Sequence, residues 1–287
     1  MTTDKITAVA TVDPVIADAV SKLFANIATQ TGHGEVSLPE RAKILKQIIE
    51  LGFDELLPAP GDAKSEWSDA ACLLREQAKT ACPIDTGVLL VLKNRELAMM
   101  PPPAPYQVTT ADWVTPLSQT ERMALALARC IQASGAMQAS LNLSLTYVQD
   151  RRQFGRALSK FQSVQHELAV AAEEVAAATV ITDFAVARAS SNGIADPALL
   201  GLLQAAALNV AQATAVCLRV CHQMHGAIGV TLEYPLHRHS LHLMRWRDEL
   251  LQLLGSERAC AIAVGDQVLA SDTLWSFVTD TMQPSAQ

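Results

Sequence analysis

The sequence is poor in aromatic residues (5%) and charged residues (18%) over its 287 positions. Positive charge is in the minority, because 22 Lys and Arg stand against 29 Asp and Glu and give a formal net charge of −7. Without a basic excess or a long basic stripe, nucleic acid is not an expected partner. Hydrophobic residues still make up 50% of the chain, so Ala and Leu must fill the core. That composition favours close-packed helices over sheets.

Long uninterrupted apolar runs are also missing. Gln, Arg, Asp or Glu breaks each run before it reaches membrane-spanning length, so we expect no membrane span. The N-terminal residues lack a basic segment followed by an apolar core, so no secretory signal is predicted. The six cysteines are scattered, and we interpret them as small buried hydrophobes in a reducing compartment. These features predict a soluble, cytoplasmic protein.

Two different patterns divide the first part of the chain. Residues 1–84 are predicted to form an N-terminal helical domain, with a helix start at Ser37-Leu-Pro-Glu40 and a helix stop at Gly52. Residues 85–117 are predicted to form a reduced middle β segment or linker. Its evidence is a short β-like run at 86–92, four closely spaced prolines, and two extended segments at 108–110 and 113–115. A full β-barrel domain does not fit into so few residues.

The rest of the chain has the pattern of a helical bundle. Long helices are predicted at about 119–151, 159–190 and 196–225, a fourth after Pro235, and another at about 256–270. Long antiparallel helices with short connections form a bundle, here over 118–272, and 273–287 is a tail. The predicted fold class is mainly α, with an N-terminal helical domain, a severely reduced β segment and a C-terminal four-helix bundle.

Three arginines lie within six residues at the turn Arg151-Arg-Gln-Phe-Gly-Arg156, between the first two bundle helices. The planar guanidinium binds phosphate in a bidentate manner and stays charged. Gln153 adds polar groups and Phe154 an apolar plate, and Phe161, Gln162 and Gln165 follow on the next helix. This set suits an anionic ligand with a flat apolar part, such as FAD. The alternative is a solvated helix end, where cations favour the helix dipole.

The order of residues here, Arg-x-Gln-Phe-Gly-x-x-Leu-x-x-Phe-Gln-x-x-Gln-x-x-Leu-Ala, resembles the corresponding turn of the acyl-CoA dehydrogenase family. In that family the turn binds the FAD of the neighbouring subunit. The resemblance therefore implies that Arg151, Gln153, Phe154 and Gln162 contact a flavin held mostly by another chain.

A second stretch, from Gln223 to Pro235, resembles the glycine-rich turn of the same family that also meets the partner's FAD. It implies flavin contacts from Gln223 and Gly226. Ala227 and Ile228 stand where the family usually has Gly and Asn, which weakens the expected contact. No metal site is predicted, because Cys217, Cys221 and His225 spread over more than two helical turns. The cluster His237, His239 and His242 converges only with help from the fold.

The carboxylate base of the family is not at its expected positions. Counting from either neighbouring motif puts a leucine there: Leu250 or Leu254 at the first position, and Leu125 at the second. Three acids lie near these positions, namely Glu121, Glu249 and Glu257. Glu249 is the best candidate for a relocated base, although an ion-paired or solvated carboxylate is the simpler interpretation.

A retained flavin edge, a reduced β segment and a missing base together resemble a subunit of the heterotetrameric (α2β2) acyl-CoA dehydrogenases of bacterial sterol side-chain degradation. The resemblance implies FAD as cofactor, an acyl-CoA substrate, and a second subunit that carries the catalytic Glu. This chain would then be the non-catalytic subunit of an oxidoreductase in lipid or steroid catabolism. Two alternatives remain: a self-sufficient homomeric dehydrogenase with a relocated base, and a flavin-free scaffold subunit.

Overall fold

The structure, a computed structural model, describes residues 12–32, 36–57, 67–100, 116–271, 273 and 276. Within these ranges the chain is almost entirely helical, and the mainly α fold class is confirmed. The helices are α1 (Pro14–Thr31), α2 (Leu38–Glu50), α3 (Trp67–Lys79), α4 (Thr86–Leu92), α5 (Arg95–Met99), α6 (Gln119–Asp150), α7 (Gln162–Asn192), α8 (Pro197–His225), α9 (Leu236–Leu254) and α10 (Glu257–Ala270). Two short strands, β1 (Arg152–Gln153) and β2 (Arg156–Ala157), form an antiparallel hairpin between α6 and α7.

Local capping explains why the predicted helix ends agree with the structure to within about three residues. Ser37 with Glu40, and Ser118 with Glu121, form reciprocal capping boxes at the starts of α2 and α6. Asp196 accepts a hydrogen bond from the Ala198 N–H at the start of α8, next to a proline in the first turn. These side chains satisfy N–H groups that have no partner inside the helix.

The prediction of a β-like run at 86–92 is wrong, because this stretch is helix α4. The Asp85 side chain accepts a hydrogen bond from the Val88 N–H and thereby caps the helix. Residues 86–91 are all buried, and a short, fully buried apolar run has no periodicity that separates strand from helix. The extended segments predicted at 108–110 and 113–115 lie outside the described residues. The two strands at 152–157 were not predicted.

Helix α6 is the central element of the fold. It packs against α3, α4, α7, α8 and α9, and residues 123–137 are buried without interruption. One hydrophobic core joins the N-terminal helices to the bundle and includes Trp67, Leu125, Leu203 and Trp246. Small residues allow close contact between helices, since a Cβ on Gly135 would lie 2.7 Å from the Arg75 carbonyl oxygen of α3.

One stretch in the described part of the chain, Pro197–Val230, is long and apolar enough to cross a membrane by length and composition. It contains α8, and 56% of its most apolar window is buried inside the protein. Core helices pass the same test, so its apolar character is explained by its contacts with α6, α7 and α9.

The crossing at Gly135 yields a prediction for stability. We expect Gly135→Ala to lower the free energy of unfolding by about 1–3 kcal/mol, because the added methyl would overlap backbone atoms of α3. Gly265→Ala in α10 is the matched control, because a Cβ there meets nothing within 4 Å. The control is expected to be neutral or to stabilise by up to about 1 kcal/mol through helix propensity. Urea denaturation followed by circular dichroism measures both, and equal stability of the two variants would contradict the close crossing.

Candidate functional site

The arginine-rich turn is a tight β-hairpin. Arg152 pairs with Ala157 and Gln153 with Arg156, and the two residues at the tip, Phe154 and Gly155, have φ values of 52° and 79°. Positive φ at both central residues is characteristic of a type I′ turn. Glycine adopts that conformation readily, but phenylalanine is strained in it. The Phe154 side chain is 88% exposed, so burial does not offset the strain, and such positions are often functional.

The three arginines of the hairpin, Arg151, Arg152 and Arg156, are all exposed. Within the described residues, none of these three side chains forms an ion pair with a carboxylate. Other arginines, such as Arg129 and Arg188, are held by nearby acids. The hairpin therefore concentrates positive charge whose hydrogen-bond donors are free for an external anion.

The N-terminus of α7 lies directly after this hairpin. Phe161 occupies the capping position and cannot supply a capping oxygen, so the first N–H groups of the 31-residue helix have no side-chain cap. Gln162 is exposed at the first helical position, whereas the Gln165 side chain donates a 2.9 Å hydrogen bond to the Ser159 carbonyl. An uncapped helix N-terminus favours a negatively charged ligand.

The second predicted turn lies where α8 ends at His225. Gly226 adopts a φ of 63° and begins a short 3-10 turn, Gly226–Val230. Gln223, Gly226, Ala227 and Ile228 are exposed, so the backbone of this turn is accessible from outside. A side chain at Gly229 would crowd His225 and His222, with its Cβ at 3.1 Å and 3.2 Å from them.

Three aromatic side chains bring the two turns to the same end of the bundle. The ring of Tyr147, one helical turn before Arg151, stacks on His225 with centroids 4.5 Å apart, and Tyr234 lies 4.8 Å from His225. The His225 Nδ1 lies 2.8 Å from the Cys221 carbonyl oxygen, which fixes the ring. Sequence reasoning missed this cluster, although Tyr234 lies within the stretch from Gln223 to Pro235.

The positions expected for a base lie in closed core. Leu125 and Leu250 are both 0% exposed, and Leu254 is partly buried. Of the nearby acids, Glu257 is exposed in the first turn of α10. Glu121 caps α6, and its hydrogen bonds with Ser118 lower the pKa of its carboxyl group.

Glu249 belongs to a buried network of four charges between α4, α6 and α9. Its two carboxylate oxygens lie 2.6 Å from the Arg129 Nε and 2.7 Å from the Arg245 Nε. The same two arginines contact Asp85, with Arg129 Nη1 and Arg245 Nη2 at 2.7 Å and 3.0 Å from its oxygens. Two positive and two negative charges therefore neutralise one another without solvent.

The protonation of this network follows from its geometry. Burial alone would raise the pKa of Asp85, but the Arg129 and Arg245 guanidinium groups hold it well below its ordinary value. Burial also acts to lower the pKa of Arg129, and the two carboxylates reverse that effect. Asp85 and Arg129 are thus charged at neutral pH. Sequence reasoning identified Glu249 but missed Asp85 and Arg129, which are 44 positions apart.

The histidine and cysteine groups weighed as metal ligands do not converge. Among the residues that the structure describes, no three His, Cys, Asp or Glu side chains are arranged to hold a metal ion. Cys217 and Cys221 lie with their sulfur atoms 3.8 Å apart inside the core. Burial lowers the pKa of His239 to about 4 and that of His242 to about 3, so both are neutral at physiological pH.

Comparison with known proteins identifies the domain that carries these turns. Residues 118–247 match the family model "Acyl-CoA dehydrogenase, C-terminal domain". The probable acyl-CoA dehydrogenase fadE25 of Mycobacterium leprae is 38% identical over 108 residues, which are 37% of this chain and 27% of that protein. Acyl-CoA dehydrogenase FadE28 of Mycobacterium tuberculosis is 33% identical over 108 residues, 37% of this chain and 30% of that protein. The aligned part is thus less than a third of each relative's length.

Solved structures share the fold over a greater length. A chain of the ChsE4-ChsE5 complex from Mycobacterium tuberculosis matches with a TM-score of 0.68 at 14% identity, over 93% of this chain and 100% of that one. A chain of a variant of the Tcur3481-Tcur3483 steroid ACAD matches with a TM-score of 0.62 at 16% identity, over 90% and 98%. At these identities the likeness is one of fold. The sequence matches show that residues 118–247 are similar to the C-terminal domain of acyl-CoA dehydrogenases, and the solved structures show that the fold is shared.

Proposed function

We propose that this chain is the non-catalytic subunit of a heteromeric, flavin-dependent acyl-CoA dehydrogenase. It contributes an FAD-phosphate-binding edge to a partner subunit that carries the catalytic Glu. The observation that carries this proposal is a contrast between two parts of the chain. The hairpin exposes three arginines without carboxylate partners, whereas the family's base positions are leucines in closed core.

The residues of the two turns fit a phosphate-linked flavin. Arg151, Gln153 and Gln162 offer donors around the uncapped N-terminus of α7, and Phe154 offers an exposed ring. Gln223 and Gly226 face the solvent on the neighbouring turn, close to Tyr147. When bound, the flavin supplies hydride acceptance from the acyl chain. The part of this chain is to bind the anionic linker of the cofactor and fix its position.

Proton abstraction is the step that this chain does not support. A general base must come within hydrogen-bond distance of the proton that it removes. Both oxygens of Glu249 are ion-paired with guanidinium groups, and the residue is buried. The base therefore belongs to the partner, which would also hold most of the acyl-CoA.

The nature of the partner is inferred from the shape of the chain. The fold likeness to the ChsE4-ChsE5 chain extends over the whole of that chain. A chain of similar fold and extent therefore occurs in a complex of two named components. The fold likeness also covers 98% of the steroid ACAD chain. We therefore favour an α2β2 hetero-oligomer that oxidises a CoA thioester, with a sterol side-chain intermediate as the acyl group.

Specific observations argue against the two alternative functions. A self-sufficient homomeric enzyme needs a base, and Glu249 is only 6% exposed within its ion-pair network. A flavin-free scaffold has no use for three arginines lacking acid partners or for a strained, exposed Phe154. Both observations favour the cofactor-binding subunit.

Removal of the first hairpin arginine tests the cofactor role. In the complex with its partner, we expect Arg151→Ala to weaken FAD binding by about 10- to 100-fold, the range for one lost charge-assisted hydrogen bond. Arg95→Ala is the matched control, because Arg95 is also exposed but lies on α5 and pairs with Asp54. Flavin absorbance per assembled complex is the measurement. Unchanged flavin content in the Arg151 variant would support the scaffold instead.

Neutralisation of Glu249 tests whether this chain supplies the base. We expect Glu249→Gln to lower the stability of the chain by about 3–5 kcal/mol, because two buried arginines lose a counter-charge. Acyl-CoA-dependent flavin reduction in the folded complex should stay within about twofold of the parent, since the partner removes the proton. Glu257→Gln, at the exposed start of α10, is the control acid. A folded Glu249 variant without flavin reduction, or a chain that alone is yellow and reduced by acyl-CoA, would refute the non-catalytic role.

A further inference from the structure

Arg156 differs from the other two arginines of the hairpin in its surroundings. Its guanidinium carbon lies 4.0 Å from the centre of the Phe161 ring, a stacked cation–π contact. Arg156 is in β2, opposite Gln153 of β1, and Phe161 is the residue that precedes α7. The contact therefore connects the hairpin to the N-terminus of the next helix.

Phe161 also contacts the tip of the hairpin. The rings of Phe154 and Phe161 meet edge to face, with centroids 6.2 Å apart and planes at 77°. One ring thus supports both the strained tip residue and the returning strand. The next residue along the chain is Gln162, one of the proposed flavin contacts.

The hairpin needs this support because it is too short to be stable by itself. Each strand has two residues, and an isolated two-stranded hairpin is marginal in water even when longer. Its six residues Arg151–Arg156 are all exposed, so little apolar burial fixes their position. A guanidinium stacked on a ring keeps its N–H donors in the plane parallel to the ring.

We infer that Arg156 is a positioning residue: its stack on Phe161 fixes the hairpin against the start of α7, so that Arg151, Gln153 and Gln162 face one anion together. This inference rests on the proposed function, in which that anion is the phosphate-linked part of the partner's FAD. It assigns Phe161 the role of supporting Arg156 and the hairpin tip.

A double-mutant cycle in the assembled complex tests this role, with FAD titrated into the flavin-stripped complex. Arg156→Lys keeps the charge and removes the planar stack, and Phe161→Leu removes the ring and keeps the charge. Each is expected to weaken FAD binding about 2- to 5-fold, the range for one exposed cation–π contact. The double variant should be no weaker than either single variant, because both remove the same contact.

Phe161→Tyr is the rescue variant, since it keeps an aromatic face under Arg156 and should bind FAD as the parent does. A purely structural effect of the leucine variant would appear as a lower melting temperature, which is measured in parallel. Losses that multiply in the double variant, or parental affinity in both single variants, would overturn the positioning role. Arg151→Ala is measured beside them: if it leaves FAD binding unchanged, the proposed function fails, whereas a strong loss with an unaffected Arg156–Phe161 pair refutes only this inference.

Discussion

The burial of Arg129 is the constraint on which the rest of the structure depends. A guanidinium with no solvent contact is tolerated in a core only when carboxylates surround it. Asp85 meets this requirement from the start of α4, and Glu249 meets it from α9. The position of α4 against α6 and α9 follows, because Asp85 is also the residue that caps α4. Arg129 and Arg245 pair with both oxygens of Glu249, the acid nearest to the expected base position.

Helix α6 connects the buried charge network to the exposed hairpin. Its residues 123–137 are buried on all sides, and its last turns are partly exposed before the helix ends next to Arg151. Tyr147 stands at this transition and packs on His225, so the end of α6 fixes the end of α8. A rigid helix of 32 residues thereby places the hairpin at a set distance from the buried network. An exposed, arginine-rich end and a buried, closely packed stretch are thus properties of a single helix.

Local signals in the sequence predicted what depends on near neighbours. The helix start at Ser37 and the helix stop at Gly52 followed from capping signals that involve residues within a few positions. The turn at Gly155 was located, but its strands were not, because a two-residue strand has no periodicity to recognise. The helix at 86–92 was predicted wrongly for a different reason. Its environment is created by other helices, chiefly α3, α5 and α6, and only burial on all sides reveals it. The Asp85–Arg129 pair was not predicted for a similar reason, because its two residues are 44 positions apart.

Under the proposed function, the two halves of a dehydrogenation make different physical demands on the two subunits. Holding a phosphate calls for hydrogen-bond donors, and the hairpin and the N-terminus of α7 offer donors without ion-pair or capping partners. Removing a proton next to a thioester requires a carboxylate with an unoccupied oxygen in a pocket that excludes water. In this chain the corresponding region contains leucines and a buried charge network in which both oxygens of Glu249 are ion-paired with guanidinium groups. A chain with exposed phosphate-binding donors and a closed core at the expected base positions is suited to work beside a partner with an open pocket.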